Sequence, residues 1–319
     1  KADTPEMQHM LALVNAWDPL AYVDLHVTDG AQFEPDISIQ VEPVHAGDPA
    51  LRVAGTALRD NVLADLARQG SDPKPFYISF AEEDNPQSGF VDSAPNPRFS
   101  HGYFLLRNRF GMLVETHSWK DYPTRVRITR NTIVSLLSQV ARHGAQWRQL
   151  ALDADQRAAQ LAGATLPLTY KTTEKSHLIA FRGYAYTRTP SDISGALMTR
   201  YDETTPQLWT VPLRDEIVPD LQQAAPKAGY LVPAAQAGMV AAKLRQHGVA
   251  YQVLATAWGR QPVQAFRATQ VTFGTQSFEG RQTAAVQGEW RDEARVIGAG
   301  ALYVPVNQAK ARLVVALLE

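Results

Sequence analysis

The stretch Tyr22–Gly30, YVDLHVTDG, begins like a sheet strand, sets His26 between Asp24 and Asp29, and stops on Gly30. An apolar run of this kind predicts a buried strand ending at His26. In an α/β layer, ligands gather beyond the carboxyl ends of the strands, so polar groups collected there mark a candidate site. The competing reading is a strand-end histidine satisfied by its own neighbours.

Working outward, Thr4 is an N-cap with Pro5 at the first helical position. Met7, Met10, Leu11, Val14 and Trp17 share one face of a helix running to about Asp18. A helix feeding a buried strand reads as an α/β layer. Downstream, residues 57–70 (ALRDNVLADLARQG) form an amphipathic helix closed by Gly70, and residues 82–100, rich in Pro, Asp, Asn and Ser, form a long ordered loop or lid. FGMLVE (110–115) is a second buried strand, and it too ends on an acid, Glu115. Residues 122–161 are helical, with an irregularity at Gly144 that predicts a packed helix pair. Beyond Gly163 short alternating runs predict a β-rich domain. Within it, residues 230–244 and 302–318 each read as strand, proline turn and helix, the same local solution used twice.

The bulk composition excludes several classes. The 319 residues are 45% hydrophobic and 20% charged, the balance of a globular chain of one or two domains. Lys plus Arg number 31 against 32 Asp plus Glu, so no global field draws nucleic acid or an anionic membrane; a peptide or small molecule is the expected partner. No run of about 18 uncharged residues predicts a membrane span. With no cysteine, disulfides and thiolate chemistry are excluded, and any metal must be held by His, Asp or Glu.

His26 and Glu115, the two strand ends, carry the chemistry. An imidazole that binds a metal and a carboxylate that takes a proton from metal-bound water are the least apparatus for hydrolysing an amide without a covalent intermediate. With their flanks, DLHVTDG (24–30), residues 96–122, residues 266–282 and residues 303–319, they resemble the zinc carboxypeptidase (funnelin) family, in particular bacterial members with an extra C-terminal domain. The resemblance implies a carboxypeptidase-like mixed sheet flanked by helices, incomplete here, over residues 1–162, and a β-rich α+β accessory domain over 163–319. It implies Zn2+ as cofactor, His26 as a zinc ligand and Glu115 as the general base of a peptidase, acting in the periplasm or outside the cell.

Asp24 alternates to the same strand face as His26 and is a candidate to orient its ring, while Asp29 is equally a turn residue or a partner of that loop. His117 shares a strand face with Glu115 and reads as a partner at the site or a residue of its mouth. Arg98 and Tyr103 stand at the two ends of RFSHGY (98–103), shortly before the second strand, where the resemblance implies side chains that bind a substrate's terminal carboxylate and cap the scissile bond; a guanidinium suits a carboxylate because two N–H bonds can form in parallel. Arg107 and Arg109 read as structural partners of acidic loops. His101, His143, His177 and His247 read as surface or turn residues, and His45-Ala-Gly-Asp48 as a surface loop.

The family pattern also needs a His-x-x-Glu pair and an Asn-Arg pair ahead of the first helix, and no His-x-x-Glu occurs in the chain. The sequence, starting at Lys1 and stopping in ARLVVALLE, therefore reads as an internal portion of a longer enzyme and an inactive one. Two other functions fit the residues: a zinc deacylase of N-acyl amino acids, and a non-catalytic peptide- or glycan-binding protein.

Overall fold

Helix α1 (Pro5–Trp17) starts where Thr4 Oγ1 accepts the Met7 N–H, and Asp18 turns the chain out of it in a left-handed conformation. The computed structural model describes residues 2–278 and 280–319; Lys1, read above as a cut end, and Glu279 lie outside them. Of the apolar face expected for α1, Leu11 and Val14 are buried, whereas Met7, Met10 and Trp17 are exposed. β1 (Ala21–Val27), β2 (Ile37–Glu42), α2 (Pro49–Arg68), β3 (Pro73–Lys74) and β4 (Phe90–Val91) follow, then α3 (Ser100–Leu106), β5 (Phe110–Thr116) and α4 (Tyr122–Ala158).

Strands β1, β5, β2 and β3 form one mixed sheet in that order: β1 runs parallel to β5, β5 antiparallel to β2, and β2 parallel to β3. β2 is buried throughout, and β5 nearly so. β1, predicted as buried, is the edge strand of this sheet among the described residues, and its last three residues are exposed. The core lies between this sheet and α2 with α4. Ile37, Ile39 and Val41 of β2 and Phe110, Met112 and Val114 of β5 meet Leu51, Leu58, Val62 and Leu66 of α2 and Ile128 and Trp147 of α4. Each such side chain contributes ~1.5–3 kcal/mol by leaving water.

α2 begins eight residues earlier than its amphipathic pattern indicated, because Asp48 caps it and Pro49 sits in the first turn. The expected helix pair over 122–161 is one helix of 37 residues. Gly144 does not break it: an interior glycine costs only ~1 kcal/mol, and Trp147 and Ala151 beyond it are anchored in the core.

The later strands are β6 (Thr165–Pro167), β7 (Tyr170–Thr172), β8 (His177–Pro190), β9 (Leu197–Arg214), β10 (Ile217–Pro219), β11 (Gln222–Ala224) and β12 (Gly229–Val232). After α5 (Ala234–His247) come β13 (Gln252–Val253), β14 (Trp258–Phe278), β15 (Arg281–Ile297), β16 (Leu302–Pro305) and α6 (Ala311–Leu318). The chain is thus mixed α/β, with its many strands in several small sheets. No helix among the described residues is long and apolar enough to cross a membrane.

By compactness the chain divides into residues 2–228 with 306–319, and residues 229–305. In the larger unit β4, inside the 82–100 loop, pairs with β9, and β9 with β8. Phe90 packs there with Phe33, Phe76, Phe181 and Trp209 in a second apolar cluster. The smaller unit holds the sheet β12–β16–β13, with α5 following β12. The two look-alike segments therefore meet, since β12 and β16 pair antiparallel. The unit also holds the two-stranded ribbon β14–β15. Phe266 opposes Trp290 and Val271 opposes Val286 on one face of the ribbon, and Arg267 holds Glu293 at 2.6 Å on the other.

Candidate functional site

The parallel register of β1 and β5 sets His26 directly opposite Glu115 at the carboxyl ends of both strands. The His26 side chain is 52% exposed and its Nε2 lies 3.0 Å from Asp24 Oδ1, as the shared strand face led one to expect. Glu115 is buried, and its Oε2, sealed from solvent, has no hydrogen-bond partner. Burial pushes this carboxyl up to about 7; the His26 charge opposes the rise, and Asp29 and Asp24 add to it. Asp29 is exposed and its carbonyl accepts the Ser118 hydroxyl, while the Gly30 carbonyl accepts the Trp119 indole N–H at 2.9 Å, so the loop after β1 is tied to the loop after β5.

His117 is fully buried. The Phe33 N–H donates to its Nε2 at 3.4 Å, which leaves Nδ1 protonated to donate to Thr28 Oγ1 at 3.2 Å, and its ring stacks on Phe33 with centroids 3.9 Å apart. Burial, helped by Lys120, pushes it down to about 3 against the Phe33 hydrogen bond. It is a neutral packing residue that fixes the base of the loop behind the site.

Arg98 and Tyr103 are not brought to this end of the sheet. Arg98 is exposed, its guanidinium over the Phe99 ring. Tyr103 sits on α3 against Arg107, whose guanidinium reaches Asn15 in α1 and Asp18 at the end of that helix, just ahead of β1. Five residues of strand, ~16 Å, separate that end from His26. Arg107 and Arg109 are structural, as expected: Arg109 bridges Asp18 at 2.5 Å and Asp155 at 2.9 Å.

Two histidine expectations are corrected. His101 is buried, and burial pushes it down to about 4. His45 does not lie on a surface loop: Nδ1 is 2.5 Å from Glu42 Oε1 and Nε2 is 3.4 Å from Asp92 Oδ2, so the ring bridges two carboxylates that are fifty residues apart in sequence. Burial lowers its proton affinity, but the bonds to Asp92 and Glu42 win and raise it to about 9.

Tyr77, passed over in the sequence, lies near the site. Burial raises its hydroxyl, and the charges of Glu115 and Asp29 raise it further. The only sequence signal was an aromatic residue just past the strand after α2. Among the described residues no group of three or more His, Asp or Glu side chains is arranged to hold a metal ion. No protein-family model, no curated protein and no solved structure matches this chain.

Proposed function

We propose that the paired ends of β1 and β5 form a hydrolytic site for peptide or related amide bonds, with Glu115 as the general base that takes a proton from water. One observation carries the reading: a desolvated carboxyl with an unpartnered oxygen and a proton affinity near neutrality, opposite a solvent-facing imidazole. General bases work best when poised near the working pH, and perturbed carboxyls of this kind gather at functional sites. The carboxypeptidase-like sheet and an exported location belong to the same proposal.

The described residues do not by themselves fit a resident zinc. His26 offers one nitrogen, and a catalytic zinc takes about three protein ligands. The metallopeptidase form of the reading therefore requires more ligands, a His-x-x-Glu pair among them, from residues outside this sequence; the outer edge of β1, which no strand covers, is where a further strand would add. A deacylase of N-acyl amino acids would use the same base. The missing ligand set favours a second reading, a non-catalytic peptide- or glycan-binding protein.

The test uses the complete gene product and, beside it, the 319-residue chain. Glu115→Gln in the former should cut turnover of an unblocked peptide by ~10²–10⁴-fold with zinc content unchanged, and wild-type turnover should rise with pH through about 7. His26→Ala should lose zinc and activity together. The 319-residue chain should hold well under one equivalent of zinc. Ordinary activity in Glu115→Gln refutes the base; loss of its metal refutes the division of roles.

A further inference from the structure

A cavity lies at the other end of the sheet. Glu42 is opposite Gly111, four residues along β2 from the Ser38–Glu115 pair, ~13 Å away. Just beyond Glu42, residues 46–47 form one wall of a cavity of about 100 Å³, residues 94–97 a second, and Leu105, residues 166–170 and α6 the rest. A single water needs only ~10–15 Å³, so the cavity admits a small organic molecule.

Its chemistry is one-sided. Pro95, Pro97, Leu105, Leu168 and Val315 make the lining apolar, and Arg312 is the only charged residue among those that line it. Among the described residues Arg312 has no ion-pair partner, and its Nε is sealed from solvent with no acceptor. The nearest acid, Asp48, is already committed: both its oxygens accept from Arg157 at 2.8 and 2.9 Å, and one also caps α2. Asn96 Oδ1 and Thr169 Oγ1 on the wall already accept from the Arg98 and Leu221 N–H groups, so neither oxygen is given over to Arg312. The lining residues thus bring one positive charge without a counter-ion, Arg312, and neutral hydrogen-bond donors, the Tyr170 and Thr169 hydroxyls and the Asn96 amide. A half-buried guanidinium with no ion-pair partner and a sealed, unpartnered Nε is left poorly satisfied, and a bound anion would supply the missing counter-charge.

We propose that this cavity is a binding site for a small monocarboxylate with a short apolar chain, its carboxylate on Arg312 and Tyr170 and its chain against the prolines and leucines. A planar carboxylate matches the guanidinium fork. One cation balances one negative charge; a phosphate dianion would leave one negative charge unbalanced. The frame is preorganised, since His45 bridges Glu42 and Asp92 and so staples the 46–47 wall to the 94–97 wall.

The test is titration of the 319-residue chain with butyrate, with butyramide and inorganic phosphate as controls at matched ionic strength, read by melting temperature and by ligand-observed NMR. Butyrate should bind and raise the melting temperature; butyramide, which keeps the shape without the charge, and phosphate should not. Arg312→Met should abolish butyrate binding, and Arg312→Lys should weaken it at least tenfold by losing the fork. Should Arg312→Met fail to fold, Ala316→Phe, at an exposed position on the lining, should block butyrate with Arg312 intact. Equal binding of butyrate and butyramide, binding of phosphate in its place, retained binding in Arg312→Met, or no binding of butyrate to the wild type each overturns the proposal.

Discussion

Glu115 and His45 both hold a proton more tightly in the folded protein than outside it, Glu115 because of burial and His45 in spite of it, through Asp92 and Glu42. Glu115 is an acid whose proton affinity is raised from 4.5 to about 7. The folded state holds its proton more tightly than the unfolded chain, so the favourable contribution is complete below about 4.5 and lost as pH climbs through about 7. Replacing it by Gln should therefore stabilise the protein at pH 8 by up to about 3 kcal/mol, at 1.36 kcal/mol per unit, and change little at pH 4.5; equal urea midpoints for the two proteins at pH 8 would falsify this. His45 is raised from 6.5 to about 9, so its contribution is full below 6.5 and vanishes as pH passes about 9. His45→Gln should remove a pH dependence on the order of 2 kcal/mol between those limits, seen as converging unfolding curves of mutant and wild type at alkaline pH. Sequence reading placed His26 and Glu115 at strand ends because alternation and chain order are local. It could not see His45, whose partners Glu42 and Asp92 meet only through the fold, nor that Arg98 and Tyr103 stand away from the strand ends that carry His26 and Glu115.

At the scale of elements, α2 carries a constraint that helix propensity alone would misjudge. Gly55 is interior to the helix, where alanine normally gains ~1 kcal/mol. Here a Cβ would stand 2.0 Å from the Pro43 carbonyl oxygen, a backbone atom that cannot step aside. Gly55→Ala should thus destabilise the protein by ~1–3 kcal/mol, the usual cost of overpacking, as a fall in urea midpoint without a change in slope. α1 was legible from Thr4 and Pro5, and β5 from its apolar run. The apolar Leu25 and Val27 predict a buried β1, yet among the described residues no strand pairs with its outer edge; Gly144 predicts a break in α4 that the core on both sides overrides. Composition gives residue types, and neither edge position nor packing partners can be taken from it.

For the whole molecule, the division of residues into a larger unit and the 229–305 unit distributes stability unevenly. The larger unit holds the two apolar clusters described above and both candidate sites, so ligands at either site should protect that unit by mass action. The ribbon β14–β15 is different in kind: its residues are mostly exposed on both faces, and Phe273, Val286 and Trp290 remain open to water. A ribbon of two strands is marginal by itself, so its hydrogen bonds open without waiting for any core to unfold. In amide exchange the protein should accordingly keep two clocks: the amides of β2 and β5 should trade deuterium only on global unfolding, over hours or longer, while those between Arg260 and Phe273 should do so orders of magnitude sooner and at a rate indifferent to mutations such as Gly55→Ala. Equal protection of ribbon and sheet would show that the ribbon shares the stability of the core.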